Sequence, residues 1–298
     1  MKKILPLIFC LLSATLTAWA QDTDALQFFP KGIRLYNNIA YAQDTLKRHQ
    51  LDVFLLPGTA KKHPIILWLH SGGWRAGDKQ GDMHYMPNTL KSLVKNGYAI
   101  VAINYRYSTT AIFPAQIIDC NQALEFVCEN GDKYHLDRKR IAIMGFSAGG
   151  HLAALMGLSN NSDIPEFYGD DKPHFKISAV VDFFGLSDFY LRPAAEFKNP
   201  VSGPGLLFGG AMNDKPALVK LATPLNYIDH ADPPFLIIHG DKDDQMDIRQ
   251  SITLNDSLRK YGVLSELRII KGAPHGGEMF DADSISNSVV SFLKMYLR

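Results

Sequence analysis

Two kinds of hydrophobic pattern run along the chain. Near the start, "IRLYNNIAYA" and "HQLDVFLLP" alternate apolar and polar residues. That period of two predicts two strands, paired antiparallel, with one face turned to water. Farther on the apolar positions become continuous, in "PIILWLH" (64–70), "YAIVAINY" (98–105), "RIAIMGF" (140–146), "ISAVVDFFG" (177–185), "FLIIHG" (235–240) and "LSELRIIKG" (264–272). Runs of this length without alternation fit strands buried on both faces, the condition of a parallel sheet covered by helices. Helical spacing fills most of the gaps, over 86–96, 114–129, 147–158, 247–261 and 284–297. Pro114 suits a first helical turn, and Gly97 and Gly262 stand just past two helix ends. Strands alternating with helices predict an α/β fold, a mostly parallel doubly wound sheet with two antiparallel strands at its N-terminal end.

Residues 159–176 and 186–230 break the rhythm. They are rich in Pro, Gly, Asp and Phe and follow strand ends, and long irregular segments in a compact domain usually serve function. They are expected to form a small cap over the carboxyl edge of the sheet, where open α/β sheets bind ligands. Phe167, Phe189, Phe197 and Phe208 could line a pocket under it or pack the cap onto the sheet. There is no internal repeat, so 21–298 reads as a single domain.

The first twenty residues stand apart. "MKKILPLIFCLLSATLTAWA" has two lysines, an apolar stretch and Ala18-Trp19-Ala20, the pattern of a signal peptide cleaved before Gln21. Export to the periplasm or the exterior is therefore expected. Cys10 comes early and follows bulky Phe9, which argues against a lipid-carrying cysteine. After residue 20 no apolar run approaches the roughly 20 residues of a membrane helix. The other cysteines, Cys120 and Cys128, lie eight apart in one helical run. That is about 12 Å of helix rise, beyond the roughly 7 Å a disulfide allows, so both are expected as buried thiols. A formal net charge of +1 without basic clusters gives no electrostatic reason to expect nucleic acid.

The candidate chemistry sits in "RIAIMGFSAGGHLAALMGL", which reads strand, sharp turn, helix. Gly145-x-Ser147-x-Gly149 at the turn is the setting of a nucleophile elbow, in which a strained backbone exposes one hydroxyl. A serine needs a base, and the base an orienting acid. In the order expected for such a turn, Asp241, Asp243 and Asp244 follow the strand "FLIIHG", and His275 follows "LRII". Directly after "PIILWL" comes "HSGGW", whose glycines allow backbone N–H groups close to a substrate. One of these, with the amide of Ala148, would form an anion-stabilising pocket. His70, His151 and His239 are expected to be structural, and Arg106 with Asp119 to form an internal ion pair. No metal or cofactor is called for, because H-E-x-x-H, paired C-x-x-C and phosphate-cradling loops are absent from the sequence.

"HSGGW", "GFSAGGHLA", "HGDKDDQ" and "GAPHGG" together resemble the motifs of the α/β-hydrolase superfamily, and within it the esterase/lipase branch. That branch includes bacterial secreted carbohydrate and feruloyl esterases and hormone-sensitive-lipase-like enzymes. The similarity runs from about Asp52 to the C-terminus, with "NYRYS", "FPAQIIDC" and "ATPLNYI" as further landmarks. It implies Ser147 as nucleophile, Asp243 as acid through H-G-x-x-D, His275 as base, and Gly72, Gly73 and Ala148 as oxyanion donors. Two positions depart from the pattern: Ser71 replaces the first glycine of H-G-G-x, and Met246 stands where valine is common. The function implied is a secreted serine esterase for short-chain or aromatic acyl esters, small molecules or polysaccharides of the acetyl xylan or feruloyl type. A peptidase on the same fold and a non-catalytic binding protein are the alternatives.

Overall fold

The computed structural model describes residues 24–58, 60–168 and 175–298. The leader, Cys10, Gln21 and residues 169–174 of the first irregular segment lie outside the described residues. Eight strands form one sheet: β1 (Arg34–Ala40), β2 (Gln50–Leu55), β3 (His63–Leu69), β4 (Ala99–Ile103), β5 (Leu136–Phe146), β6 (Ala179–Phe183), β7 (Phe235–Gly240) and β8 (Ser265–Ile270). Their order across the sheet is β1-β2-β4-β3-β5-β6-β7-β8. β1 and β2 pair antiparallel, β2 meets β4 antiparallel, and every later pairing is parallel.

The continuous apolar runs are explained by this order. Every residue of β3, β4, β6 and β7 is buried. Successive side chains point to opposite faces, so each run divides between two cores. Ile65, Leu67 and Leu69 of β3 join one core, Ile66 and Trp68 the other. The first core is closed by α2 (Ala115–Glu129), α3 (Ala148–Ser159) and α8 (Arg249–Lys260). The second is closed by α1 (Pro87–Lys95) and α9 (Asp283–Tyr296). Between α3 and α8, among the described residues, lie four short α-helices: α4 (Pro165–Tyr168), α5 (Ala194–Phe197), α6 (Gly203–Phe208) and α7 (Pro216–Ala222). Gly97 and Gly262 follow α1 and α8 at φ of 87° and 80°, the left-handed geometry of a helix end.

Three strands differ from their expected exposure. β8, read as covered on both faces, lies at the edge of the sheet and has no buried residue, with Arg268 and Ile269 exposed. β1 exposes every third residue, Arg34, Asn37 and Ala40, because its register shifts between Tyr36 and Ile39, whereas β2 is buried along all but its first residue. It lies between β1 and β4, and its polar residue has a buried partner. Asp52 sits 3.4 Å from the Lys79 ammonium and accepts bonds from Asn38 N and Gln80 Nε2, both at 2.7 Å. Cys120 and Cys128 are free, buried thiols, and burial pushes the Cys128 thiol up to about 12. Among the described residues no helix is long and apolar enough to cross a membrane.

Candidate active site

The turn between β5 and α3 holds Ser147 at φ 52° and ψ −112°, a conformation that costs a non-glycine residue strain. The surroundings over-determine it. Ser147 N donates to Phe183 O at 2.9 Å, and His151 N donates to Ser147 O at 2.9 Å as the first bond of α3. The two flanking glycines are steric requirements. A Cβ at Gly145 would overlap the Gly149 carbonyl, and one at Gly149 would overlap the Leu69 carbonyl at the end of β3. The turn is thus wedged against the neighbouring strand, which leaves the serine hydroxyl at the base of a cavity.

Ser147, Asp243 and His275 come from three separate loops at one edge of the sheet, and the structure brings them together. His275 Nε2 lies 2.9 Å from Ser147 Oγ, and His275 Nδ1 lies 2.6 Å from Asp243 Oδ2. Nδ1 carries the proton in this arrangement, because a carboxylate only accepts, and Nε2 is left to accept from the serine. The His275 ring also packs edge-on against Phe184, centroids 4.7 Å apart. Asp243 is set apart from its neighbours by its bonds. Its Oδ1 accepts from Gln245 N (2.9 Å) and Met246 N (2.7 Å), which turns the side chain inward. Asp241 instead accepts from Gly272 N at 2.6 Å on the surface, and Asp244 is exposed. Burial works against the Asp243 charge, but bonds from His239, His275 and Met246 N outweigh it and hold the carboxyl well below the usual carboxylate range.

The loop after β3 supplies the wall opposite. Gly72, Gly73 and Trp74 adopt φ of 111°, 58° and 61° in succession. Ser71 gives both its amide and its hydroxyl to Asp82, each at 2.6 Å. Its N–H is therefore spent. Among the described residues the amides of Gly72, Gly73 and Ala148 have no backbone acceptor, and all three residues line the cavity with Ser147. Tyr105 OH donates to His70 O (2.8 Å) and Ser108 N to Trp74 O (2.8 Å), so "NYRYS" braces this loop from behind.

The cavity measures about 860 Å³. Its lining is apolar at Trp74, Met86, Phe146, Phe184 and Phe280 and polar at Arg192, Glu196, Asn199, Ser202 and Gln245. Arg192 pairs with Glu196 through two nitrogens (3.0 and 2.7 Å) and donates to Gln245 O at 2.8 Å, tying the cap to the loop that bears Asp243. The cap aromatics Phe167, Phe189 and Phe208 are fully buried and pack among Phe113, Trp74, His151 and Tyr227. Phe197 packs near Tyr190. None of the four lines the cavity.

His70 and His151 are structural. His70 Nδ1 donates to Ser71 O (2.6 Å) and its ring stacks on Tyr105; His151 accepts from Trp74 Nε1 (3.1 Å) and donates to Ala222 O (2.8 Å). Burial pushes both down to about 4. Arg106 and Asp119 form the expected ion pair, with a closest approach of 2.6 Å, away from the cavity. Sequence reasoning missed Asp82 and Arg192, which no motif marks. It also missed that His239 touches Asp243, although its place four residues earlier, at a strand end, was a usable signal. Among the described residues no group of three or more His, Cys, Asp or Glu could hold a metal ion.

The sheet, the elbow and the Ser–His–Asp line define an α/β-hydrolase of the esterase/lipase branch. The family model BD-FAE matches residues 51–258, and the chain belongs to that family. It is 31% identical over 244 residues to the probable carboxylic ester hydrolase LipM of Mycobacterium tuberculosis, covering 76% of this chain and 54% of the relative. The chain spans about half the length of curated relatives it matches. Among solved structures, a truncated carbohydrate esterase from gut microbiota is 29% identical with a TM-score of 0.78, covering 88% of this chain and 96% of that one. A bifunctional GH43-CE protein of Bacteroides eggerthii is 32% identical with a TM-score of 0.79, covering 89% of this chain and 38% of that one.

Proposed function

We propose that this chain is an exported serine esterase that cleaves short-chain or aromatic acyl esters of carbohydrate alcohols through a covalent acyl-enzyme. The observation that carries the reading is the unbroken line Ser147–His275–Asp243, at 2.9 and 2.6 Å, in a cavity beside three amides without a backbone acceptor among the described residues. In the first step Ser147 Oγ bonds to the ester carbonyl carbon as its proton passes to His275 Nε2. The oxygen of the tetrahedral intermediate takes the negative charge against the amides of Ala148 and of Gly72 or Gly73. Asp243 stabilises the imidazolium and keeps its own charge. The imidazolium then protonates the departing alcohol oxygen as the C–O bond breaks. Water, deprotonated by His275, attacks the acyl-enzyme, and collapse of the second intermediate releases the acid and restores Ser147.

The carbohydrate part rests on the similarity to carbohydrate esterases and on the cavity's polar lining residues, whose donors and acceptors suit a hydroxylated alcohol. Export rests on the lysine-apolar-Ala18-Trp19-Ala20 leader. Ser147→Ala should lower turnover about 10⁶-fold and abolish labelling by an active-site phosphonate; a variant keeping a tenth of the activity would falsify the assignment. Acetylated xylan, feruloylated sugars and p-nitrophenyl esters, compared on one enzyme preparation, identify the acyl group and alcohol. The exported protein should begin at Gln21 by mass spectrometry, and an intact Met1 or a lipid on Cys10 would contradict export by cleavage.

A further inference from the structure

We infer that His239 is a positioning residue for the acid–base pair: its Nε2–H, bonded to Met246 O, also faces the Asp243 oxygen that binds His275, and this second contact tunes the lower edge of the pH–activity profile. The inference rests on the esterase reading above, and its observations are independent of substrate.

His239 ends β7 and is fully buried, with both ring nitrogens engaged. Nε2 lies 2.9 Å from Met246 O and 3.2 Å from Asp243 Oδ2, and Nδ1 lies 2.7 Å from Ser251 Oγ on α8. A carbonyl and a carboxylate can only accept, so the proton is on Nε2. Nδ1 must then accept from the Ser251 hydroxyl, which fixes the tautomer from the other side. Asp243 thereby has two donors on Oδ1, Gln245 N and Met246 N, and one on Oδ2, His275 Nδ1, with the His239 Nε2–H that binds Met246 O facing the same oxygen at 3.2 Å. Its side chain is 0% exposed, so no water competes for those lone pairs.

A buried carboxylate shared among donors pulls less on each of them than one with a single partner. His239 therefore tempers the attraction of Asp243 for a positive charge on the His275 ring, and its removal should strengthen that attraction. The same Nε2–H holds Met246 O, so it also fixes the turn that aims Asp243. Other charges face the group from the elements around it. Asp182 of β6 and Asp247 ahead of α8 act on His239, Asp82 acts on His275 across the cavity, and Arg192 of the cap holds Gln245 O. All four are left in place by the test.

The test compares His239→Phe, which removes both nitrogens, with His239→Gln, whose amide can donate in the direction of Nε2. The readout is kcat/KM for p-nitrophenyl acetate against pH. In His239→Phe the acid limb should move up by roughly half to one pH unit with less than about a tenfold loss on the plateau, and His239→Gln should return it toward the wild type. A purely structural histidine would lower the plateau and leave the limb in place, and that result overturns the inference. On the wild-type protein, nitrogen-15 shifts should put the His239 proton on Nε2 throughout the limb; a proton on Nδ1 overturns it even if neither variant folds. Absence of ester hydrolysis by the wild type at every pH would instead sink the esterase reading.

Discussion

Replacing Asp243 by asparagine changes one atom and should disable the site. The carboxylate now accepts on both sides, from Gln245 N and Met246 N at Oδ1 and from His275 Nδ1 at Oδ2, which also lies 3.2 Å from His239 Nε2. An amide has one accepting end. If its oxygen stays on the backbone amides, its NH₂ faces two ring N–H groups; His275 can then pair only by moving its proton to Nε2, which removes the lone pair that Ser147 needs. If the amide flips, its NH₂ faces two backbone N–H groups and leaves them buried without acceptors. Neither orientation keeps both the base and the turn. The first outcome is the wrong-tautomer state, for which the expected loss in kcat is about 10⁴-fold, equivalent to about 5.5 kcal/mol of barrier at 1.36 kcal/mol per tenfold.

The comparison variants make the prediction discriminating. Asp241 and Asp244 are exposed, and asparagine at 241 can still accept from Gly272 N. Each change should cost about twofold or less, the scale of a surface substitution. Initial rates on p-nitrophenyl acetate, with circular dichroism to establish folding, suffice. Because its bonds hold the Asp243 carboxyl below the usual range, the wild type keeps it ionised at any pH suitable for the assay. The reasoning is refuted if Asp241→Asn or Asp244→Asn proves the damaging change, or if Asp243→Asn retains more than a tenth of the activity.

Two further outcomes are expected. Acyl-chain preference should fall steeply beyond roughly four to six carbons. Each buried CH₂ gains about 0.8 kcal/mol only against apolar surface, and the cavity lining includes the charged Arg192–Glu196 pair; rising activity on long-chain triglycerides at an oil–water interface would contradict this. Asp182, fully buried beneath the elbow, has its carboxyl pushed from 3.8 up to about 6 by burial, against the bond from Gly185 N. The native state therefore binds that proton more tightly than the unfolded chain, so the stability it contributes is present below about pH 4 and lost as pH rises through about 6. Asp182→Asn keeps an acceptor for Gly185 N and should gain about 3 kcal/mol on the wild type between about pH 4 and pH 8 in denaturant titrations; a difference that does not change with pH would sink the argument.

The fold was legible in proportion to burial. β3, β4, β6 and β7, covered on both faces, read as unbroken apolar runs, and glycines marked the ends of α1 and α8. β5 begins at Leu136, four residues before its apolar run, because buried Leu136 is followed by the polar, at least partly exposed Asp137, Arg138 and Lys139. β2 misled because its alternation is real while its polar member, Asp52, is buried against Lys79. At the site, Ser147 and His275 were legible from their loops and order. The residues alone left three aspartates open; the choice depends on which side chain turns back onto Gln245 N and Met246 N, a geometry composition does not encode. Asp82 and Arg192 were invisible for a related reason. Each meets the site only through chain folding, Asp82 beside Ser71 and Arg192 beside Gln245, 53 residues on.

The two departures from the family pattern show why local deviation leaves the site intact. At position 71 a glycine would offer only an amide, whereas Ser71 adds a hydroxyl, and both groups end on Asp82. The loop is thus anchored just before Gly72, and the amide lost to Asp82 leaves Gly72, Gly73 and Ala148 as the ones available to an oxyanion. The Asp82 carboxyl is raised by burial and lowered by those two Ser71 bonds, with burial the larger effect. At position 246 the contributions to Asp243 come from the backbone: Met246 N binds Asp243 Oδ1 and Met246 O binds His239 Nε2. The side chain has only to fill a buried space, and its sulfur lies 3.6 Å from an Arg192 nitrogen. A flexible thioether fills such a gap as readily as a branched residue. At position 246 the contribution to the site is made by main-chain atoms, whereas at Gly145 and Gly149 any side chain would strike a carbonyl.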